Sequence, residues 1–426
     1  MAVIKGMKGL RYSTEVAGDL NTLVCPPYDI ISDEQREEYV KNNEYNIIRL
    51  ELPKGENRYK DAGNTLKEWL EKGVLKHDDK ESIYVYEMEF TANGSKKAVK
   101  GFVSLVKLEE FSKGIVLPHE ETLSKAKTDR FNLMSETFCN FSQIYSLYMD
   151  EDGKAYSTID ACSQDKPDME IVDDDGVIHR MWCVHDEEVL DGLTKIFEDK
   201  KLYIADGHHR YETALNFHKH LCETGVSDKN SQSGYIMMML VNMENDGLVV
   251  FPTHRIVRDL NNFNVDDVTA KLTGDFNVTD IKGRKEVEDS LYEMYKQGKK
   301  AFAMYFGNDS FKLLVLKNEG AVKEIMPKMS DAYCGLDVSV LHTLVLEKIF
   351  GIDKENMANQ VNLTYTKIID EAIAAVDNGK ANCSFILNPT KVSEIRDVAL
   401  AREKMPQKST YFYPKTITGL VMNKFR

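Results

Sequence analysis

The residues of this chain that are best suited to chemistry lie in one short segment, which reads LYIADGHHRYETAL and spans residues 202–215. An apolar run ends before Asp206, and a glycine, two histidines and an arginine follow before a helical pattern begins. We predict a strand that ends at Ala205, Asp206 as the N-cap residue, and a helix that begins at Gly207. The segment is therefore predicted to be a strand, a tight turn and a helix.

A helix that begins at this turn would favour the binding of an anion. The first N–H groups of a helix have no partner inside it, and the helix dipole adds partial positive charge there. Glycine lacks the Cβ that would hold a ligand away from the backbone, and an arginine can bind phosphate through two parallel hydrogen bonds. The candidate phosphate ligands in this segment are Gly207, His208, His209 and Arg210, while Asp206 caps one of the free amides.

The same residues also fit a simpler structure. A capped helix that carries two surface histidines accounts for D-G-H-H-R as well as a phosphate site does, and this alternative stays open. A zinc site is disfavoured, because adjacent helical residues point about 100° apart, whereas the two histidines of helical zinc motifs are four residues apart.

A second polar segment, LPHEETLSKAKTDRF, begins at Leu117 and combines an acid with several cations. Glu120 is a candidate general base for a substrate hydroxyl, and Lys127 and Arg130 are candidate phosphate ligands. The alternative is a solvated helix whose charges pair at a spacing of four residues.

The C-terminal segment MPQKSTYFYPK supplies a third candidate cluster. Lysine ammonium groups and serine or threonine hydroxyls suit an oxyanion, but alternating β-branched and aromatic residues also describe an ordinary strand. Both interpretations stay open for this segment. Its candidate ligands are Lys408, Ser409, Thr410 and Lys415.

Two further motifs present the same choice between a ligand and a structural role. In CPPYDIIS, Asp29 is either a ligand or, together with Ser32, a candidate cap of the helix that follows. In PTHRIV, His254 and Arg255 stand at the end of a predicted strand.

The elements around these segments predict mixed α/β (α+β) structure in several domains. Helices are expected over 33–43, 57–72 and 124–136, and the run VSVLHTLVLEKIFGI predicts an amphipathic helix. TANGSKK is expected to be a hairpin loop. Strands are predicted for NIIRLEL, SIYVYEMEF, AVKGFVSLVKL, QIYSLYM, VIHRMWCV, GYIMMMLVNM, GLVVFPTHRIV, AFAMYFG and FKLLVL.

Composition excludes several classes of protein. The 426 residues carry a formal charge of −14, which disfavours binding to a nucleic-acid backbone, so no nucleic-acid partner is expected. No stretch approaches the roughly 18 apolar residues of a membrane span, and the N-terminal residues do not resemble a signal peptide, so we expect a cytoplasmic protein without a membrane partner. The seven cysteines form no C-x-x-C pair, and neither a Walker A sequence nor a G-x-G-x-x-G motif occurs.

Seven segments occur in order along the chain: PPYDIIS, LPHEETL with KTDR, SQIYSLY, ADGHHRYETAL, PTHRIV, LDVSVLH and MPQKSTYFYPK. By these segments the chain is identified as a member of a family of uncharacterised bacterial and archaeal proteins, sometimes described as SpoOJ/ParB-like. The D-G-H-H-R turn also resembles the phosphate-binding turn of the ParB and sulfiredoxin superfamily, in which free serine kinases carry a closely similar turn. The resemblance implies a ParB/sulfiredoxin-like nucleotide-binding region over 115–260, between an N-terminal mixed α/β region over 1–114 and a C-terminal α/β region over 261–426.

The activity that this resemblance implies is a phosphotransferase that uses ATP or ADP with Mg²⁺ and phosphorylates the hydroxyl of a small metabolite, with L-serine as the first candidate. Asp206 would hold the metal. Together with His208 and Arg210 it would also stabilise the transferring phosphoryl group, and Glu120 would take the hydroxyl proton. His208 stands where sulfiredoxins carry their cysteine, and no basic recognition helix of the ParB type follows residue 260.

Two other functions stay open. The first is a nucleotide-binding switch or scaffold of the ParB type that binds without turnover. The second is a phosphatase that acts on a metabolite such as phosphoserine. The expected partners are a nucleotide and a small-molecule substrate, and a homodimer stays open for the assembly.

Overall fold

The computed structural model describes residues 1–92, 94–122 and 124–426, in two compact units. Unit 1 comprises residues 1–118, 122–249 and 414–426, and unit 2 comprises residues 119–121 and 250–413. Both units combine helices with sheets, so the predicted mixed α/β class is confirmed. The three sequence regions with boundaries near 114 and 260 stay a prediction. Asn93 of the TANGSKK loop and Leu123 of the LPHEETL segment lie outside the described residues.

A mixed nine-stranded sheet forms the centre of unit 1. Most neighbouring strands are antiparallel, but the strand Leu202–Asp206 is parallel to Val116–Leu117, and Tyr235–Asn242 is parallel to Ile144–Tyr148. In spatial order the strands are Val116–Leu117, Leu202–Asp206, Ile144–Tyr148, Tyr235–Asn242, Ser95–Lys107, Ile83–Ala92, Ile178–Val184 and Met169–Val172, with Ile4–Lys5 paired to Ser95–Lys107.

Helices and two short strand pairs complete unit 1. Leu10–Tyr12 pairs with Leu75–His77, and Cys139–Asn140 pairs with Asn423–Lys424. The helices are Thr14–Ala17, Asp33–Asn42, Ile48–Glu51, Arg58–Glu71, Ser124–Thr137, Lys154–Ala161, Glu187–Phe197 and His208–Glu223, and the 3₁₀ turns are Leu20–Thr22, Tyr28–Ile30, Phe111–Lys113 and Gln232–Gly234.

A six-stranded antiparallel sheet forms the centre of unit 2. Apolar residues pack in two clusters, one that includes Phe302 and Phe385 and another that includes Tyr305 and Phe311. The strands are, in spatial order, Phe276–Lys282, Ser310–Leu316, Ala301–Tyr305, Cys383–Leu387, His254–Val257 and Leu363–Thr366. The unit also contains the strand Tyr411–Tyr413.

The helices of unit 2 are mostly short. The run predicted as one amphipathic helix is helical, but it changes from an α-helix over Asp337–Leu341 to a π-helix over His342–Glu347, and most of it is buried. The other helices are Val265–Leu272, Arg284–Lys296, Ala321–Ile325, Asp331–Cys334, Lys354–Asn359, Ile369–Asp377 and Val392–Leu400.

The predicted helices over 33–43, 57–72 and 124–136 are confirmed, one predicted strand is wrong, and another is interrupted. NIIRLEL contains the short helix Ile48–Glu51, because the side chain of Asn46 accepts a hydrogen bond from the N–H of Ile48 at 2.9 Å and starts a helical turn. GLVVFPTHRIV is two strands, Val249–Phe251 and His254–Val257, because Pro252 has no N–H to continue a ladder. In the described residues, no helix is long and apolar enough to cross a membrane.

Candidate functional site

The D-G-H-H-R turn begins one residue later than predicted. The strand extends to Asp206, Gly207 is the N-cap residue with φ +93°, and the helix begins at His208. The prediction that Asp206 caps the helix is wrong, because its carboxylate binds two cations instead of the helix amides. Glycine is required at 207, since a Cβ there would be strained at this φ and would lie 3.0 Å from Nε of Arg210.

Asp206, Arg210 and Lys415 form a group that we call the Asp206 triad. Nη2 of Arg210 donates to Oδ2 of Asp206 at 2.8 Å, and Nζ of Lys415 donates to Oδ1 at 2.6 Å. Burial by itself would raise the pKa of Asp206, but the charges of Lys415 and Arg210 outweigh it and hold that pKa well below its usual range. Asp206 is therefore ionised at neutral pH, with two basic side chains beside its carboxylate.

Arg210 is fixed from a second side by the backbone. Its Nη1 donates to the carbonyl oxygen of Gln143 at 2.6 Å. Its own helix is anchored through Tyr211, whose hydroxyl donates to the carbonyl of Glu109 at 2.7 Å and whose ring stacks on Phe111. The N-terminal end of the helix His208–Glu223 is consequently a rigid platform.

The remaining residues of the turn are partly or wholly buried. His208 is 3% exposed, so the alternative of two surface histidines does not describe it, and His209 is half-buried. Both histidines have interaction partners in the structure. Further along the helix, Tyr211, Ala214, Leu215 and Leu221 pack inward, and Cys222 is half-buried.

Arg130 lies in unit 1 as a buried residue that binds Glu51. Its Nη1 donates to the carbonyl of Glu51 at 2.7 Å, and its guanidinium lies 4.1 Å from the ring centre of Tyr28. The carboxylate of Glu51 accepts from the hydroxyl of Ser142 at 3.0 Å. Burial raises the pKa of Glu51, although the charges of Arg130 and Arg210 act in the opposite direction.

Glu51, Arg130 and Arg210 line one cavity of about 30 Å³. A space of this size holds one or two water molecules. Arg130, which lies against the ring of Tyr28 in the CPPYDIIS motif, and Arg210 of the Asp206 triad thus line the same cavity. Sequence reasoning did not find Glu51 or Gln143; the one signal for Glu51 was a carboxylate inside the apolar run NIIRLEL.

Lys127 does not join the triad. Its Nζ donates to Oε2 of Glu212 at 2.8 Å, and the hydroxyl of Thr122 donates to the same oxygen at 2.6 Å. Glu212 lies two residues after Arg210 on the same helix. The structure therefore places Lys127 beside the turn region but in an ion pair of its own.

Four predicted site residues belong to unit 2: Glu120, Lys408, Ser409 and Thr410. Nε2 of His119 lies 3.0 Å from Oγ1 of Thr410, and the N–H of Met405 donates to the carbonyl of His119 at 2.7 Å. These contacts hold the residue before Glu120 against the segment 405–410. Lys415 belongs to unit 1, so the motif MPQKSTYFYPK is divided between the units after Tyr413.

The segment 405–410 has a defined backbone. Lys408 has φ +54°, and its carbonyl accepts from Nη2 of Arg255 at 3.1 Å. Ser409 is buried; its hydroxyl donates to the carbonyl of Pro406, and its own carbonyl accepts from Thr390 at 2.8 Å. The polar side chain of Ser409 is thus used inside unit 2.

Two motif residues have structural roles. Ser32 is the N-cap of the helix Asp33–Asn42 and forms a capping box with Gln35, so Asp29 is not the cap. Nδ1 of His254 accepts from the N–H of Leu387 at 3.2 Å. Burial and the charge of Arg255 lower the pKa of His254 to about 4, which keeps the ring neutral.

The residues do not fit Asp206 as a direct Mg²⁺ ligand. Both of its carboxylate oxygens accept hydrogen bonds from cationic groups, and a metal ion on either oxygen would have to displace Lys415 or Arg210. Within the part of the chain that the structure describes, no group of three or more His, Cys, Asp or Glu residues is arranged to hold a metal ion. The donor set of the turn suits an anion better than a cation.

The chain belongs to the family described as "Protein of unknown function (DUF1015)", whose profile matches residues 4–339. No curated protein sequence matches the chain.

Matches among solved structures include three of low sequence identity and low TM-score. A conserved hypothetical protein from Pyrococcus furiosus is 14% identical, with 75% of this chain and 95% of that chain covered and a TM-score of 0.34. A free serine kinase in complex with AMP is 13% identical, with 75% and 92% covered and a TM-score of 0.35. SbnI with a C-terminal truncation, from Staphylococcus aureus, is 11% identical, with 74% and 85% covered and a TM-score of 0.36.

Proposed function

We propose that the Asp206 triad, with the first turn of the helix His208–Glu223, binds the phosphate groups of ATP or ADP, and that the protein transfers a phosphoryl group to the hydroxyl of a small metabolite. The observation that carries this proposal is the pair of contacts from Arg210 and Lys415 to one partly buried carboxylate, that of Asp206. L-Serine is the first acceptor to test, because D-G-H-H-R resembles the turn of free serine kinases.

The charge balance of the triad supports phosphate binding. One carboxylate and two cations leave a net charge of +1 in a partly desolvated place, next to helix amides that favour an anion. Both basic groups lie on one carboxylate, 2.8 Å and 2.6 Å from its two oxygens, so their positive charges are concentrated in one place. Asp206 therefore acts as the group that positions the two cations.

The proposed reaction is a direct displacement. The oxygen of the acceptor hydroxyl forms a bond to the terminal phosphorus, the bond from that phosphorus to the bridging oxygen breaks, and the nucleotide leaves with one phosphate fewer. Glu120 takes the hydroxyl proton, while Arg210, Lys415 and His208 stabilise the charge on the phosphoryl oxygens. The other candidate contacts of the nucleotide and the substrate are Gly207, His209, Lys127, Arg130, Lys408, Ser409 and Thr410.

Phosphorus NMR tests the proposal. The protein is mixed with Mg²⁺, ATP or ADP, and L-serine or another hydroxyl metabolite, and a new phosphomonoester signal that requires both nucleotide and acceptor is expected. Lys415→Met should lower the rate about 100-fold or more, as expected for loss of one group that stabilises a transferring phosphoryl group. Lys219→Met is the control, since Lys219 lies half-exposed on the helix His208–Glu223, which also carries Arg210, and pairs with Glu110.

Other results of these experiments would favour one of the two alternative functions. Nucleotide binding without any phosphomonoester signal would contradict the transferase and favour the switch or scaffold. Release of phosphate from phosphoserine in the absence of nucleotide would contradict the transferase and favour the phosphatase. Equal rates for Lys415→Met and the unchanged protein would remove the Asp206 triad from the proposal.

A further inference from the structure

Unit 2 contains a cavity of about 360 Å³ that no part of the proposed reaction uses, and all the residues that line it belong to that unit. Its apolar wall includes Met326, Met329, Tyr333, Met357 and Met405, and we call this cavity the methionine pocket. Its volume lies in the range of small-molecule sites, about 300–1,000 Å³. Methionine side chains are unbranched and polarisable, so they adapt to an apolar ligand and contact aromatic rings favourably.

One side of the methionine pocket is a π-helix. His342, Thr343 and Glu347 line the pocket, and all three belong to the π-helical segment His342–Glu347. A π-helix is rare, because its hydrogen bonds are less favourable than those of an α-helix, and where it occurs it frequently marks a functional site. Here it brings an imidazole and a carboxylate to one cavity.

A buried positive charge lies behind His342. Arg255 is 0% exposed, its Nε lies 3.4 Å from Nε2 of His342, and its Nη1 and Nη2 atoms both donate to backbone carbonyls. Among the described residues, no carboxylate lies within ion-pair distance of this guanidinium. Burial lowers the pKa of Arg255 to about 10, which leaves it charged at neutral pH.

The contact with Arg255 determines which nitrogen of His342 donates. Burial and the charge of Arg255 lower the pKa of His342 well below its usual value, so the ring is neutral. Since Nε2 accepts from Arg255, the proton lies on Nδ1. Nδ1 has no hydrogen-bond partner in the described part of the chain, so this donor is available to a ligand.

Carboxylates supply negative charge to the methionine pocket. Glu121, Glu347 and Glu403 line the methionine pocket, together with Lys354 and Lys404. Burial raises the pKa of Glu347, and the charge of Lys354 only partly offsets this. With Arg255 behind His342, the three negative charges meet three positive charges, so the pocket favours neither a net anion nor a net cation.

We propose that the methionine pocket binds a zwitterionic small molecule with a large apolar side chain, the class to which hydrophobic α-amino acids belong. The carboxylate of the ligand accepts from Nδ1–H of His342, with Arg255 behind it, and the ammonium group pairs with Glu347. The apolar side chain contacts the methionines and Tyr333. None of the residues that line the methionine pocket has a role in the proposed phosphoryl transfer.

The test is NMR of protein labelled with ¹³C in the methionine methyl groups, titrated with L-phenylalanine as the probe. The methyl signals of Met326, Met329, Met357 and Met405, assigned by Met→Leu variants, should shift. Those of Met237, Met238 and Met239, which are fully buried in the sheet of unit 1, should not. Phenethylamine lacks the carboxylate and 3-phenylpropionate lacks the ammonium group, so each should bind about tenfold more weakly.

Variants and a small ligand complete the test. Glu347→Gln should weaken the binding of L-phenylalanine about tenfold and leave the binding of 3-phenylpropionate unchanged. The control is Glu355→Gln, which replaces an exposed carboxylate on the helix Lys354–Asn359 and should change the affinity for neither ligand. The proposal is wrong if L-phenylalanine leaves the four methyl signals unmoved, or if either analogue binds as tightly. Equal binding of L-serine would show that the apolar wall does not select the ligand, and would also overturn the proposal.

Discussion

Nζ of Lys415 lies 2.6 Å from Oδ1 of Asp206, although 209 residues separate them along the chain. Asp206 ends a strand of the large sheet, and Lys415 lies in the C-terminal segment that returns to unit 1. The contact gives Asp206 a second cation besides Arg210, which lies only four residues away. A carboxylate so placed is a positioning group, and several measurable consequences follow from it.

Asp206→Asn should destabilise the protein at pH 7 by about 2–4 kcal/mol, because Arg210 and Lys415 would lose the charge that compensates their burial. The folded pKa of Asp206 is depressed, so its contribution to stability is present above the unfolded pKa, near 3.8, and is lost as the pH falls below that value. Urea unfolding at pH 7 and at pH 3 should therefore show a smaller difference between the variant and the parent at pH 3. Asp191→Asn, an exposed carboxylate, is the control and should change little.

Gly207→Ala should cost more stability than Gly225→Ala, although both glycines have positive φ, +93° and +71°. A Cβ at 207 would lie 3.0 Å from the Arg210 guanidinium, whereas a Cβ at 225 has no heavy atom within 4 Å. The backbone strain of about 1 kcal/mol is common to both variants. We expect Gly207→Ala to lower the free energy of unfolding by about 2 kcal/mol or more in total. Thermal unfolding of the two variants measures the difference, and equal losses would mean that Arg210 moves aside freely.

Asp337 should titrate near neutral pH. Its Oδ1 has no hydrogen-bond partner in the described part of the chain, and burial raises its pKa from 3.8 to about 7, against the opposing charge of Lys300. The carboxyl carbon signal of Asp337 in ¹³C NMR should accordingly shift near pH 7, and a shift near pH 4 would contradict the prediction.

The same group makes stability depend on pH with a defined sign. The folded state keeps the proton of Asp337 up to about pH 7, while the unfolded chain releases it near pH 4, so its contribution to the free energy of unfolding falls as the pH rises between these values. Asp337→Asn should remove that fall and be more stable than the parent at pH 8 by about 2 kcal/mol. Urea unfolding followed by circular dichroism from pH 5 to 8 measures it.

Arg130→Lys should lower the free energy of unfolding by about 2 kcal/mol, because lysine cannot reproduce the contacts of the buried guanidinium with Glu51, Asp129 and the ring of Tyr28. Arg58→Lys is the matched control: its side chain is 41% exposed and lies 3.8 Å from the same Asp129. The free energy of unfolding of the control, measured by calorimetry, should lie within about 0.5 kcal/mol of that of the parent protein. A small effect at Arg130 would show that its burial is not essential to unit 1.

Local pattern was sufficient for much of the fold. The helices over 33–43, 57–72 and 124–136 and the strand-turn-helix around Gly207 all follow from periodicity, caps and glycine, which act between neighbours in the chain. The pattern failed at NIIRLEL, since a short buried apolar run fits a strand and a helix equally well. It also misplaced the cap at Asp206, because the choice between helix amides and cations depends on a distant lysine.

The amino-acid sequence by itself determined that residues 202–215 form a strand, a glycine turn and a helix, and that an acid and an arginine stand at that turn. The tertiary structure alone decided that Lys415 binds the acid, that Glu51 lies beside Arg130, and that four methionines, an imidazole and three carboxylates line one cavity. The physical reason is that periodicity and capping are local, whereas partners for buried charges come from any part of the chain that packing brings within hydrogen-bond distance.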